Sequence, residues 1–461
     1  MANLWSGRFS TDPDPTAFQF GSSFRFDRRL FEDDVTGSLA WVDALAKAGV
    51  LTGAEAGKVS AALADILDRG TRESSFVEGP DEDVHAFVER QLIERVGELG
   101  KRLHTGRSRN EQVSLDLRLY LRRRIPVLQR QIAAVIAALA RQAERAGPAV
   151  MPSYTHLRRA MPVLVSHFFL AHVAALRRDY ARLAWASQEA DAMPLGSGAV
   201  AGTNYPMDTS MLASRLGFSR VVANSIDASS DRDFVASFLH ACALTMVHLS
   251  RLSEDLIIFC GEEYAFFQLS DASSTGSSMM PQKKNPDPLE LVRGKTGRLI
   301  GHLTGWMATM KGLPSGYNKD LQEDKEAVFD AEDNMAGALA TLVGVIDGLE
   351  IFPERMAPAA AGLLLATDVA DFLVGKGMPF REAHEVVGRM VRQLVAEGRD
   401  FAALTPAEWR RHSALFDDTV AAVVTPEASV RARKTPQSTQ PQAVSAALAE
   451  VNAWLRGILT T

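Results

Sequence analysis

The spacing of apolar residues predicts helices along most of the chain. Val113, Leu117, Leu121, Leu128, Ile132, Val135, Ile136 and Leu139 form one stripe, which Gly147-Pro148 stops after Arg145. Pro126 lies inside that stretch and predicts a kink. Further long helices are expected from Pro162 to about Ala192, with the proline in the first turn, and from Phe234 to about Gly261. Two more should cover Pro288 to about Met310 and about Lys325 to Leu349. Strand signals are thin. The helical patterns exceed the mean of ~11–12 residues for globular helices. Caps and prolines interrupt them, which favours a bundle of antiparallel helices over a fibrous coiled coil. The run Ala133 to Ala140 is apolar on more than one face, which suggests burial against partner chains as well. Shorter segments with Gly/Pro breaks fill the start of the chain, and the pattern shortens again after Phe352-Pro353. The expectation is a mainly α chain with an N-terminal domain over 1–110, a central long-helix bundle over 111–360 and a C-terminal domain over 361–461.

Composition narrows the function classes. A chain of 461 residues should hold two to four domains at roughly 100–200 residues each. Its 50 Lys and Arg stand against 56 Asp and Glu, a net charge of −6 that offers no whole-surface attraction to nucleic acid or an anionic membrane. A basic cluster must be local and would serve a small anionic ligand. Cys242 and Cys260, the two cysteines, lie in apolar helical pattern and read as buried, inert thiols. The stretch MANLWSGRFSTDPDP carries no apolar signal core, and no run reaches the ~18 apolar residues of a membrane span. A soluble, cytoplasmic protein is expected.

Two short motifs suggest nucleotides and fail on context. Gly196-Ser197-Gly198-Ala199-Val200-Ala201 matches a loose dinucleotide pattern, but no strand precedes it and Asn204-Tyr205-Pro206 prevents a helix from following. Gly294-Lys295-Thr296 has Leu289 where a phosphate loop needs its first glycine. No Cys/His cluster has metal spacing, so neither a metal nor a cofactor is expected.

Three segments carry chemistry. Ser273-Ser274-Thr275-Gly276-Ser277-Ser278-Met279-Met280-Pro281-Gln282-Lys283-Lys284-Asn285-Pro286 cannot be a regular helix. Its hydroxyls and amides can wrap an anion, with Lys283, Lys284 and Asn285 just ahead of a helix N-terminus. An exposed polar linker is the bland alternative, and composition does not separate the two. Leu103-His104-Thr105-Gly106-Arg107-Ser108-Arg109-Asn110 sets two forked donors, Arg107 and Arg109, beside a glycine turn suited to carboxylate or phosphate. Alone it would read as a solvated loop. Ser153-Tyr154-Thr155-His156-Leu157-Arg158-Arg159 lies between Pro152 and Pro162 and offers His156 for proton transfer, although a lone histidine is more often structural.

In combination these segments resemble a family. TGSSMMPQKKNP is similar to the signature loop of the fumarase/aspartase superfamily of lyases. Together with HTGRSRN, YTH and the run from Tyr317 to Lys325, it resembles the argininosuccinate lyases within it. The likeness runs from Trp5-Ser6-Gly7-Arg8-Phe9 through Asp81-Glu82-Asp83-Val84-His85 to Leu365-Ala366-Thr367-Asp368, nearly the whole chain.

The resemblance implies a homotetramer with one large helical core and active sites shared between three chains. It implies cofactor-free, reversible cleavage of argininosuccinate to arginine and fumarate, the last step of arginine synthesis. By the same likeness Ser277 is the base and His156 its partner in proton transfer, with Glu290 orienting His156. Lys283 and Asn285 hold the carboxylate that becomes an aci-carboxylate. Ser23, Asn110, Thr155, Tyr317, Gln322 and Lys325 correspond to substrate contacts, with Arg109 beside them. The chemistry is consistent with these roles, because a proton alpha to a carboxylate is removed only where donors stabilise the dianion. A serine becomes a base only if amides and a cation stabilise its alkoxide.

The chain departs from the family at Glu111, where Asp is usual, and at Arg158 and Met161, where glutamines are commoner. Pro436-Gln437-Ser438-Thr439-Gln440 replaces a Gly-Gly-Thr-Ala type of turn. Rival readings are another lyase releasing fumarate from adenylosuccinate, malate or aspartate, a non-enzymatic lens crystallin, and a helical binding scaffold.

Overall fold

A computed structural model describes residues 14–459, so the Trp5-Ser6-Gly7-Arg8-Phe9 motif lies outside the described residues. Helices dominate. The first ones are α1 (Phe31–Lys47), α2 (Gly53–Arg72) and α3 (Val84–Val96). The long helix α4 (Arg109–Ala146) runs unbroken through Pro126. An antiparallel hairpin follows, β1 (Val150–Thr155) and β2 (Arg158–Leu164), then α5 (Val165–Ala190) and α6 (Asp233–Cys260). The two-residue strands β3 (Thr275–Gly276) and β4 (Lys284–Asn285) pair antiparallel ahead of α7 (Asp287–Met310) and α8 (Asp324–Asp347). Near the C-terminus come α9 (Ala366–Gly375), α10 (Phe380–Glu397) and α11 (Pro441–Leu459).

The expected helix start at Pro162 needs correction. Pro162 lies in β2 opposite Pro152, and the helix begins at Val165. In a two-stranded ribbon a proline's missing donor need not face a partner. At the bulge beside Pro152 the Ser153 hydroxyl donates to the Met161 carbonyl at 2.8 Å and accepts from its amide at 3.2 Å. Gly294-Lys295-Thr296 is helix interior within α7, as its context predicts.

The described chain divides into two compact units. One comprises described residues up to 129 with 181–243 and 297–334, and the other comprises 130–180, 244–296 and 335 onward. In the first, α1 and α2 close over Phe31, Trp41, Leu45, Leu63, Ile66 and Phe87, all buried. A Thr52–Glu55 capping box starts α2, and the Asp83 carboxylate caps α3 through the Ala86 amide. Gly70 of α2 lies under the Phe31 ring, where an added Cβ would stand 2.2 Å from Cε1. We expect Gly70→Ala to lower stability by about 1–3 kcal/mol through overpacking, more than helix propensity returns. A melting temperature equal to wild type would show that the ring moves aside.

In the second unit, Phe168, Phe169, Phe259 and Phe267 form a continuous aromatic contact. The C-terminal helices enclose Val369, Leu373, Met390, Leu394, Phe401, Trp409 and Phe416.

Candidate active site

In the first unit the fold brings two of the expected substrate contacts, Ser23 and Arg109, onto the segment Asp81–His85. The Ser23 amide donates to the Glu82 carbonyl at 2.8 Å, and its hydroxyl donates to Asp27 Oδ2 at 2.5 Å. Asp27 Oδ1 in turn accepts from the Val84 amide at 2.9 Å. Asp83 accepts from Arg109 Nη1 at 2.6 Å. Burial alone would raise the Asp83 carboxyl, but Arg109 and His85 outweigh it and hold it below its usual range. At Asp27 burial wins and the carboxyl is raised.

A second chain of bonds orders the Tyr317–Lys325 segment. Gln322 donates to the Tyr317 hydroxyl at 2.7 Å, and Lys325 donates to Gln322 Oε1 at 2.8 Å and Asp324 Oδ1 at 2.9 Å. Arg232 Nε closes the set on Asp324 Oδ2 at 2.8 Å. Arg232, Asp324 and Lys325 are all fully buried, so two cations share one carboxylate and these three side chains carry a surplus positive charge, with the Asp27 carboxyl also facing Lys325. An anionic ligand would gain from that surplus in a poorly solvated site. Burial pushes the Tyr317 hydroxyl up to about 12, so it stays a neutral donor and acceptor at physiological pH.

Behind this layer sits a buried group of Asp34, His85 and Asp116, whose ligand-type atoms lie within 4.8 Å of one another. His85 Nδ1 is 2.8 Å from Asp34 Oδ1, a direct hydrogen bond, and Gln112 Nε2 donates to the same oxygen at 2.5 Å. Burial opposes ionisation of Asp34, yet His85 and Arg107 pull its carboxyl well below its usual range. Burial and the Asp34 charge push Asp116 well above its own. Arg107, also buried, is a cation beside both carboxylates.

In the second unit, Thr275–Asn285 and Gly276–Lys284 pairing closes a ribbon whose tip carries Ser277 and Lys283. Ser277 Oγ accepts from the amides of Met279 at 3.3 Å and Met280 at 3.0 Å. Those two donors would stabilise an alkoxide at that atom. Lys284 is tied to the Leu269 carbonyl at 3.0 Å and Asp271 at 2.8 Å, whereas Lys283 is exposed. Lys284 thus anchors the ribbon. A cavity of about 900 Å³ beside the ribbon is lined by Lys283, Asn285 and Glu290 together with Cys260, Phe267 and Arg355.

His156 occupies the tip of the β1–β2 hairpin with Thr155 just before it, both exposed. His156 and Leu157 have φ of 54° and 55°, the sign that a tight two-residue hairpin turn demands at both central positions. No hydrogen bond or ion pair joins His156 to Ser277 or to Glu290 within the chain, and Glu290 lies 3.9 Å from Arg293.

A family model described as lyase matches residues 7–301, and one described as argininosuccinate lyase C-terminal matches residues 363–431. The argininosuccinate lyase of Moorella thermoacetica is 47% identical over 457 residues, covering 99% of this chain and 98% of that one. The chain belongs to the argininosuccinate lyase family. The family's enzyme from Desulforudis audaxviator is 45% identical across 97% of this chain and 98% of its own. The fold extends to an EDDS lyase crystallised with formate, with TM-score 0.84 and 25% identity, covering 98% of this chain and 92% of that one.

Within this family member, sequence reasoning missed the residues that hold the contacts in place. Asp27, Asp83, Arg232 and Asp324 orient Ser23, Arg109 and Lys325, and Asp27 and Arg232 look like ordinary helix-surface charges in the sequence. Asp83 and Asp324 lay inside recognised motifs, and that adjacency was the available signal.

Proposed function

We propose that the protein cleaves argininosuccinate reversibly to L-arginine and fumarate as the last step of arginine biosynthesis. The observation that carries the chemistry is Ser277 Oγ, which accepts two loop amides at the tip of a ribbon bearing Lys283 and Asn285. Family membership supplies the substrate. Ser277 takes the proton from the carbon next to the one bonded to the departing nitrogen, and the electrons left behind spread into the adjacent carboxylate. Lys283 and Asn285 donate to that aci-carboxylate, the role in which fixed donors contribute most. The carbon–nitrogen bond then breaks, the guanidino nitrogen gains a proton and fumarate remains. His156 partners the proton transfers and Glu290 orients it. Ser23, Arg109, Asn110, Thr155, Tyr317, Gln322 and Lys325 hold the substrate, whose carboxylates suit the positive surplus around Arg232 and Lys325.

The working form we propose is a cytoplasmic homotetramer whose sites each draw segments from three chains, with residues 111–360 forming the shared helical core. The exposed apolar side chains Leu291, Ile300 and Met307 along α7 suit burial against a second copy. His156 and Ser277, unconnected within one chain, would meet across that assembly.

The direct test follows fumarate absorbance with argininosuccinate, set beside adenylosuccinate, malate and aspartate. We expect activity on argininosuccinate without added metal or nucleotide. Activity abolished by a chelator and restored by a divalent ion would overturn the cofactor-free mechanism, and turnover of another of the four substrates alone would overturn the assignment.

A further inference from the structure

The run Gly196 to Ala201, which looked like a failed nucleotide motif, lies against the Thr105–Asn110 turn, and one carboxylate holds the two together. Glu111, fully buried at the start of α4, accepts from the Ser108 amide through Oε1 at 3.1 Å and from the Gly198 amide through Oε2 at 2.9 Å. Next to it, Asn110 Nδ2 reaches the Ala199 carbonyl at 3.4 Å. A Cβ on Gly106 would stand 2.8 Å from both Thr203 Oγ1 and Tyr205 Cδ2, so turn and loop are in close approach. The loop is closed on itself by the Gly202 amide on the Ser197 carbonyl at 2.8 Å. Val200 ties the loop a second time, its carbonyl accepting from the Ser225 hydroxyl at 2.8 Å, so Glu111 governs how the Gly198 end sits on the turn.

We propose that Glu111 is a positioning residue, whose carboxylate clamps the 196–202 loop to the 105–110 turn and so fixes the orientation in which Asn110 meets the substrate. The inference rests on the argininosuccinate reading for that contact.

The clamp should be pH-sensitive. Burial pushes the Glu111 carboxyl up to about 7, against the pull of the Ser108 and Gly198 amides and of Arg107. Arg107 is the charged side chain facing it, backed by Asp34 of α1, Asp116 of α4 and Arg109, and the loop presents backbone amides of Gly196 and Gly198. A protonated carboxyl turns an O–H toward one amide and loses that bond. Rising pH restores both, so the wild-type KM should fall between pH ~6 and ~8.

The test compares wild type, Glu111→Gln and Glu111→Asp in KM, kcat and amide hydrogen exchange. Glu111→Gln cannot ionise and offers one acceptor, so KM at pH ~8 should rise about tenfold with kcat within about threefold, and its pH slope should vanish. Glu111→Asp keeps the charge and should recover part of the affinity and the slope. Exchange over residues 196–202 should quicken in Glu111→Gln. An unchanged KM in Glu111→Gln overturns the positioning role even if exchange quickens, and unchanged exchange overturns the clamp. A flat wild-type KM across that pH range overturns it without any variant. Wild-type protein that fails to cleave argininosuccinate defeats the proposed function instead, and the exchange comparison still decides the clamp.

Discussion

Replacing Ser277 by alanine should leave a folded protein that still binds argininosuccinate but turns it over at least ~10²-fold more slowly. The argument is local. Ser277 sits at the tip of a ribbon whose pairing runs through Thr275, Gly276, Lys284 and Asn285, so none of the ladder depends on its side chain. What the substitution removes is an oxygen that accepts two amides, at Met279 and Met280. Both neighbours are exposed, so water can take up the released donors and stability should barely change. In the mechanism we propose, the lost group is the one that carries the abstracted proton, and Lys283 and Asn285, left in place, stabilise charge without removing a proton. The loss should therefore appear in kcat rather than KM. Single-turnover rates and a binding titration on the same variant separate these effects, and near-normal kcat would remove Ser277 as the base.

The second large effect is a recovery. His156→Asn and Ser277→Ala should each be inactive alone, yet activity should return when the two proteins are unfolded and reassembled together. Within the chain His156 stands at a hairpin tip and Ser277 at a ribbon tip, with no bond between them. If each site takes the two segments from different chains, mixed tetramers contain some sites with both wild-type groups and others with both defects. A minority of native activity should then reappear, scaling with the fraction of mixed tetramers. Mass spectrometry of the reassembled material verifies the mixing, and each parent put through the same cycle sets the baseline. Mixed tetramers no more active than either parent would mean that both groups come from one chain, and the shared-site model would fall.

Much of the architecture was legible because helix propensity, period and caps agreed. The helices expected from Phe234, Pro288 and Lys325 begin one residue earlier, at Asp233, Asp287 and Asp324, each with an acidic residue in the first turn. The hairpin around His156 was not legible, because its prolines resemble loop punctuation and its pairing is stabilised by a side-chain bridge from Ser153 to Met161. The lyase loop stood out because its Ser, Gly and Pro content excludes a regular helix and its lysines suit an anion, but the short Thr275–Asn285 and Gly276–Lys284 pairing inside it carries no sequence signal. The supporting charges did not. Glu111 meets Gly198, and Arg232 meets Asp324, across long stretches of chain, and no local pattern marks a carboxylate that folding will bury.

The turn at His156-Leu157 has a consequence for anyone engineering this enzyme. Both residues hold positive φ, a conformation that Asn-Gly adopts readily and that side chains such as histidine and leucine adopt at a cost of order 1–2 kcal/mol. Stabilisation methods that score each position by its backbone alone will select Asn-Gly here, gain a firmer hairpin and delete the imidazole in the same step. With His156 in the proton-transfer role we propose, heat tolerance and turnover are set against each other at a single dipeptide, and a selection for thermostability run without an activity screen should drift toward a well-folded, inert protein.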